Sequence, residues 1–286
     1  MTIVVSELAG RTVMVVGGPG SGKTAWVREA ARQLAEGAGA VAVVSADMGQ
    51  QSVGVPTCLG LSLHAPHDRP SAMWFIGDTS PGGNLLPATV GTARLVSRAR
   101  AEGAETVLID TTGLVDTGAA LVFKYHKALA AGVDCLVALQ QNGKLEAVLG
   151  LLSNVCPMIH RTTALAEAKD RPTAERNAYR QERYRSYFHE AGVLELEPSR
   201  LVGSNWMPNA MRHHEYPLPG AVVGLLDGQG FCLGIGLVEK LLPNRLVVHT
   251  PWPDAAAVVS LKLGKLRLDR QADYAEVREP RSPSPP

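Results

Sequence analysis

A strand, a glycine-rich loop and a helix in immediate succession leave a chain little choice of architecture, and residues 12–36 carry all three. TVMVV (12–16) is a short β-branched run of the kind buried in a parallel sheet, and AWVREAARQLAEG (25–37) has helical spacing. Between them lies GGPGSGKT (17–24), the Gly-x-x-x-x-Gly-Lys-Thr form of a phosphate-binding loop. Gly17, Gly18, Gly20 and Gly22 permit backbone angles that turn successive N–H groups inward onto an anion. The helix that follows adds its unpaired amides and positive dipole end. Lys23 is expected to reach the β- and γ-phosphates of ATP, and the Thr24 hydroxyl to ligate Mg²⁺. The nucleotide-binding stretch is therefore Gly17, Gly18, Pro19, Gly20, Ser21, Gly22, Lys23, Thr24 and Ala25.

Through about residue 165, apolar runs alternate with helical segments. AVAVVSAD (40–47), SAMWFIGD (71–78), ETVLID (105–110) and DCLVALQ (134–140) read as strands buried on both faces. LLPATVGTARLVSRARAEG and ALVFKYHKALAAG have apolar residues at helical spacing and close near a glycine. This predicts an α/β fold of the P-loop NTPase type, a parallel sheet with helices on both faces, whose chemistry sits at the carboxyl ends of the strands. From about residue 200, AVVGLLD, FCLGIGLVEKLL, RLVVHTPW and VVSLKLGKLRL predict a small β-rich C-terminal domain of antiparallel hairpins. The expected boundaries are a first domain over 1–200, the β domain over 201–279 and a disordered proline-rich tail over 280–286.

Three strand ends should face the phosphate loop: Asp47 with Met48, Gly49 and Gln50; GDTSPGGN (77–84); and Asp110 with TTG. Asp110, closing a hydrophobic strand, has the Walker B arrangement, a carboxylate near Mg²⁺. Asp47 comes too early for that role; it is placed to accept the proton of an attacking hydroxyl, or else caps a turn. Over about 169–188, Lys169, Arg171, Arg176, Arg180, Arg183 and Arg185 outnumber Asp170, Glu175 and Glu182. If ERNAYRQERYRSYF is helical, Arg176, Arg180 and Arg183 share a face and Arg185 points elsewhere. Such a face suits a lid over the γ-phosphate or, equally, a solvated surface paired with Glu175 and Glu182.

A net charge of +1 over 286 residues excludes a global pull toward nucleic acid, so such contacts must be local. No apolar run approaches the ~18 residues of a membrane span, and MTIVVSELAG lacks the pattern of a signal peptide, so no membrane partner and a cytoplasmic location are expected. Cys58, Cys135, Cys156 and Cys232 have neither disulfide nor metal spacing and read as buried thiols. His64 with His67 and His213 with His214 are two-ligand pairs, better read as loop histidines than as a metal site.

With these motifs in order over roughly residues 12 to 270, the chain resembles the polynucleotide 5′-hydroxyl kinases, which include the kinase subunit of the eukaryotic pre-mRNA cleavage complex and the pre-ribosomal RNA kinases. The matching residues are GGPGSGKT, ADMGQQSVGVP with its D-x-G-Q core, GDTSPGGN, DTTGLV, RNAYRQERYRSYF, and VVGLLDGQGFCLGIGLVEK with TPW. It looks like a prokaryotic member without the amino-terminal β domain that helps cover the adenine in eukaryotic members, which implies a different base recognition. The resemblance implies transfer of the ATP γ-phosphate to the 5′-hydroxyl of RNA or DNA ends, with Asp47 as general base beside Mg²⁺ held by Thr24 and Asp110. It implies that Gln50 and Thr111 hold the 5′-terminal nucleotide, with Thr79 and Ser80 beside them. Arg180 and either Arg183 or Arg185 become the lid's catalytic members: motif spacing favours Arg185 and the helical face Arg183, with Arg176 toward substrate.

The chain also departs from the family pattern. Leu114 stands where the T-x-G motif usually continues with tryptophan, with Trp74 as a substitute or a core residue, and Ser45 stands where many relatives are acidic. The alternative is a non-catalytic or switch-type P-loop ATPase acting as a scaffold or regulator in RNA processing. Against a GTPase switch, no Asn-Lys-x-Asp guanine motif is present, QQNGK being only superficially similar. The sequence leaves the oligomeric state and the RNA-to-DNA preference open.

Overall fold

The computed structural model describes residues 5–37, 39–140, 143–163, 172–202 and 219–277. The chain divides into two compact units, Met1–Arg176 and Asn177–Pro286. A strand over Gly192–Leu196 already pairs within the second sheet, so that sheet draws on residues ahead of the expected start at 201.

The first unit holds β1 (Thr12–Gly17), α1 (Lys23–Glu36), β2 (Val41–Ala46), β3 (Cys58–Ser62), β4 (Ala72–Phe75), α2 (Leu85–Ala101), β5 (Thr106–Thr111), α3 (Gly118–Ala130), β6 (Cys135–Gln140), α4 (Glu146–Leu152) and β7 (Met158–Thr163). Its sheet runs β4-β3-β2-β5-β1-β6-β7. Strands β2, β5, β1, β6 and β7 are parallel and β1 lies at the centre. Such strands, covered on both faces, keep few polar residues: β1 and β5 are buried at every position. Alternation sends Val13, Val15 and Leu108 to the α1 face, where they meet Val27, Ala30, Ala31 and Leu34.

One edge differs from the all-parallel expectation. SAMWFIGD does not lie between two parallel neighbours. Its strand, β4, forms an antiparallel hairpin with β3, which is itself antiparallel to β2. Two reversals return β4 to the direction of β2, so residues 76–80 still leave at the sheet edge where β2 and β5 end. Burial along β4 alternates, as befits an edge strand. Trp74 lies against α2: a Cβ on Gly91 would come within 2.3 Å of its ring, and the Arg94 guanidinium sits 6.0 Å from the ring centre.

The helix α5 (Thr173–Phe188) carries the chain from the first unit into the second. The second unit then adds β8 (Gly192–Leu196), β9 (Ala221–Leu226), β10 (Cys232–Leu242), β11 (Arg245–Thr250), β12 (Ser260–Asp269) and β13 (Ala275–Val277). These form an antiparallel sheet ordered β13-β12-β9-β10-β11-β8. Its core gathers Leu194, Leu196, Val223, Leu225, Val238, Leu246, Val248, Leu261 and Leu263. The proline-rich tail and the pair His213–His214 lie outside the described residues.

Candidate active site

Strand β1 delivers the chain to Gly17 at the middle of the five parallel strands, and α1 begins at Lys23, so the loop between them lies above the ends of β5 and β6. Gly22 caps α1 in the left-handed region at φ 85°, a conformation that lets the first amides of the helix turn toward the loop. Lys23 is buried, and its Nζ donates to the carbonyls of Gly17 at 3.0 Å and Gly18 at 2.8 Å. The ammonium thus lies along the loop of residues 17–24, the place from which a lysine meets phosphate oxygens. Gly113, after β5, lies against this loop: a Cβ there would be 2.7 Å from the Pro19 nitrogen.

Asp110 shares the α1 face with Leu108, and its Oδ2 accepts from the Thr24 hydroxyl at 2.7 Å. Burial pushes its carboxyl up to about 6, against the opposing pull of the Thr24 hydroxyl and of Lys23. A buried carboxylate whose charge is only partly compensated, beside a hydroxyl and close enough to feel Asp47, is an all-oxygen donor set that fits Mg²⁺. No group of three or more His, Cys, Asp or Glu that could hold a metal ion is found among the described residues.

Asp47 follows β2, whose Ala46 pairs with Thr111 of β5, so the two carboxylates end adjacent strands. Asp47 Oδ1 accepts from the amides of Gly49 and Gln50, both at 3.0 Å, an Asx turn that pins the carboxylate. The turn reading and a fixed carboxylate coexist. Gly49 brings this loop against the next: a Cβ at 49 would lie 2.5 Å from the Thr79 carbonyl oxygen. Thr57 ties both together, its amide donating to Met48 and its carbonyl accepting from Ile76 and Gly77. Thr79 is buried and Ser80 half-buried in a loop organised by Asp78, which accepts from the amides of both and from the Asn84 side chain.

Thr111, which the resemblance gives to the 5′-terminal nucleotide, is held inside the sheet. It is 1 % exposed, its hydroxyl donates to the Val15 carbonyl at 2.7 Å, and it accepts from Lys124 Nζ at 2.7 Å. Lys124 and its neighbour Lys127 are what the sequence reading missed. Both are wholly buried on α3. Lys124 also donates to the Thr112 carbonyl at 2.7 Å, and Lys127 Nζ lies 3.5 Å from the Ala46 carbonyl and 4.2 Å from the Phe123 ring centre. Burial holds the Lys124 ammonium well below the usual lysine range and Lys127 down to about 7. The signal was two lysines three apart on the face that also carries Ala120, Phe123 and Ala128.

The arginines of α5 fall in two places. Arg176 closes the first unit, its guanidinium 3.5 Å from the Thr173 hydroxyl. In the second unit, Arg180 is buried in a two-pronged pair with Glu276 (2.5 and 3.1 Å) and bonds Asn177 at 2.7 Å. Arg185, exposed, pairs with Asp273 and Glu182. Arg183 is half-buried on the same helix. The four cysteines are buried and free, and burial lifts Cys135 to about 12 and Cys156 to about 11, so neither thiol is reactive at neutral pH. No helix of the described residues is long and apolar enough to cross a membrane.

The sheet order, the loop on β1 and the Thr24–Asp110 pair define a P-loop nucleotide-binding protein with a kinase-type site. Residues 17–190 match the family described as mRNA cleavage and polyadenylation factor CLP1 P-loop, and the chain belongs to that family. It is similar to proteins named polyribonucleotide 5′-hydroxyl-kinase from Thermococcus kodakarensis (28 % identical, 92 % of this chain and 89 % of the relative) and from Pyrococcus abyssi (23 %, 90 % and 87 %). A third so named, from Methanocaldococcus jannaschii, is 26 % identical over 91 % of this chain and 88 % of its own. Among solved structures, Clp1p in the wild-type Clp1p–Pcf11p complex superposes with a TM-score of 0.66 at 14 % identity, over 92 % of this chain and 75 % of that one, a likeness of fold.

Proposed function

We propose that this chain is an ATP-dependent polynucleotide 5′-hydroxyl kinase with RNA ends as its preferred acceptor. The observation that carries the reading is the pairing of two carboxylates, Asp47 and Asp110, at the ends of adjacent strands, one bonded to the loop threonine and the other held by backbone amides. The names of the relatives supply the acceptor class.

The loop amides of residues 17–25 and the Lys23 ammonium bind and orient the triphosphate. Thr24 and Asp110 would hold Mg²⁺, with Asp47 nearby; when bound, the ion neutralises charge between the β- and γ-phosphates. Asp47, with Oδ1 fixed by two amides, takes the proton of the 5′-hydroxyl through its second oxygen. A bond forms between that hydroxyl oxygen and the γ-phosphorus as the bond to the β–γ bridging oxygen breaks, and ADP leaves. On this reading Gln50, Thr79 and Ser80 hold the 5′-terminal nucleotide; the Gln50 amide donates to Asp47 and the Thr79 carbonyl lies against Gly49. Arg180 with either Arg183 or Arg185 neutralises the transferring group and Arg176 serves the substrate; within the second unit Glu276 and Asp273 hold the Arg180 and Arg185 guanidinium groups.

The test is ATP consumption with 5′-hydroxyl and with 5′-phosphorylated RNA of one sequence. The kinase reading predicts ADP formation only with the free hydroxyl. Equal turnover with both, or with no RNA, would instead support the switch-type ATPase.

A further inference from the structure

Lys124 and Lys127 take no part in the phosphate chemistry described above, yet both ammonium groups are wholly buried. Taking a charge out of water costs several kcal/mol even after relaxation. Methionine would fill nearly the same volume at no such cost, so packing alone does not account for two lysines on one helix face.

Their targets do account for them. Lys124 Nζ bonds Thr111 Oγ1 and the Thr112 carbonyl, the two residues directly after Asp110. Lys127 Nζ approaches the carbonyl of Ala46, the residue directly before Asp47. Strands β2 and β5 are neighbours with Ala46 opposite Thr111, so the two ammonium groups sit under the ends of the two strands that carry the site's carboxylates. Asp110 turns to the α1 face with Thr24, whereas Thr111, one residue on, turns to α3. Thr111 passes the link to β1 through the Val15 carbonyl, two residues before the phosphate loop. Gly113, one residue past Thr112, lies against Gly18 and Pro19 of that loop. Both lysines also attract Asp47, and Lys124 attracts Asp110.

We propose that Lys124 and Lys127 are positioning residues for phosphoryl transfer, setting the ends of β5 and β2, and hence Asp110, Asp47 and the phosphate loop, from the opposite face of the sheet. The proposal rests on the kinase reading above. Displacing a reacting group by about 1 Å can cost on the order of a hundredfold in rate, so this role belongs in kcat rather than in ATP affinity.

The experiment measures kcat, the acceptor KM, ATP dissociation constant and thermal stability for Lys124→Met, Lys127→Met, Thr111→Val and the Lys124→Met/Thr111→Val pair. Each lysine variant is expected to lose about ten- to a hundredfold in kcat. It should keep its affinity for ATP within about threefold, and melt at or above the wild-type temperature. Thr111→Val should reproduce the Lys124→Met loss, and the double variant should be no slower than either single one, because the two residues form one link. Folded lysine variants with wild-type kcat, or losses that multiply in the double variant, would overturn the proposal. So would a raised acceptor KM at unchanged kcat for Thr111→Val, which would mark that hydroxyl as a substrate contact. If Lys124→Met does not fold, Lys124→Gln takes its place; loss of folding in both assigns the residue to stability and also overturns the proposal. A wild-type protein that transfers no phosphate overturns the kinase reading and this proposal with it.

Discussion

Asp47 is the residue on which the chemistry turns, and its geometry explains how a turn residue can also serve as a base. The two amides that hold Oδ1 are those of Gly49 and Gln50, and they fix the direction of the carboxylate without occupying its other oxygen. Asp47→Asn should therefore keep the turn and ATP binding and lose about 10²- to 10⁴-fold in kcat, measured by steady-state transfer with nucleotide affinity read alongside. Lys23→Ala should instead weaken ATP binding and lower kcat together, because that ammonium lies along the loop itself. Gly49→Ala tests the contact between the acceptor-side loops. With the Thr79 carbonyl 2.5 Å from the new Cβ, one loop must move, and the acceptor KM should rise while ATP affinity holds. The phosphate loop and Asp110 are legible from the strands that lead into them, whereas Asp47 reads equally as a turn cap until the resemblance makes it the base. At Thr111 a motif names a position and not its partners, and the bonds to the Val15 carbonyl and to Lys124 are not legible in it.

At the scale of elements, α3 shows what periodicity cannot tell. ALVFKYHKALAAG has helical apolar spacing, and a lysine on such a helix is ordinarily a solvated one; only the fold shows that both lysines point into the sheet. Strands β1, β2, β5 and β6 are legible as short apolar runs, whereas CLGLS is not read as a strand, so the reversal through β3 that carries β4 is hidden in the sequence. Lys127 yields a pH prediction. Its folded-state pKa is lowered from 10.5 to about 7 by burial. Below about 7 the lysine is charged in both states and its burial cost is fully present. As pH rises from about 7 to 10.5 the folded protein sheds its proton first and the cost fades. Lys127→Met should therefore be more stable than the natural protein by on the order of a few kcal/mol at pH 6, an advantage that shrinks toward pH 10.5 in denaturant titrations. An advantage that grows with pH would contradict the assignment.

At the scale of the molecule, the chain couples a nucleotide-binding unit to a second unit that holds most of the arginine helix. Within that second unit, Arg180 and Glu276 are both nearly buried, with side chains 10 % and 12 % exposed. Removing one partner leaves a charge without compensation, so Glu276→Ala should destabilise the second unit by about 3–5 kcal/mol in chemical denaturation. Glu276→Gln, which keeps an acceptor, should cost less. The family match over residues 17–190 takes in the phosphate loop, both carboxylates and all of α5, so the elements proposed to act together are those the family shares.

The most direct measurement is transfer of labelled γ-phosphate from ATP to 5′-hydroxyl RNA and DNA oligonucleotides, with Asp47→Asn alongside. The account predicts a labelled 5′ end on RNA with the natural protein and almost none with the variant, at similar ATP affinity. Equal labelling by both proteins would remove Asp47 from the chemistry, and no labelling by either, with ATP still bound, would contradict the kinase reading itself.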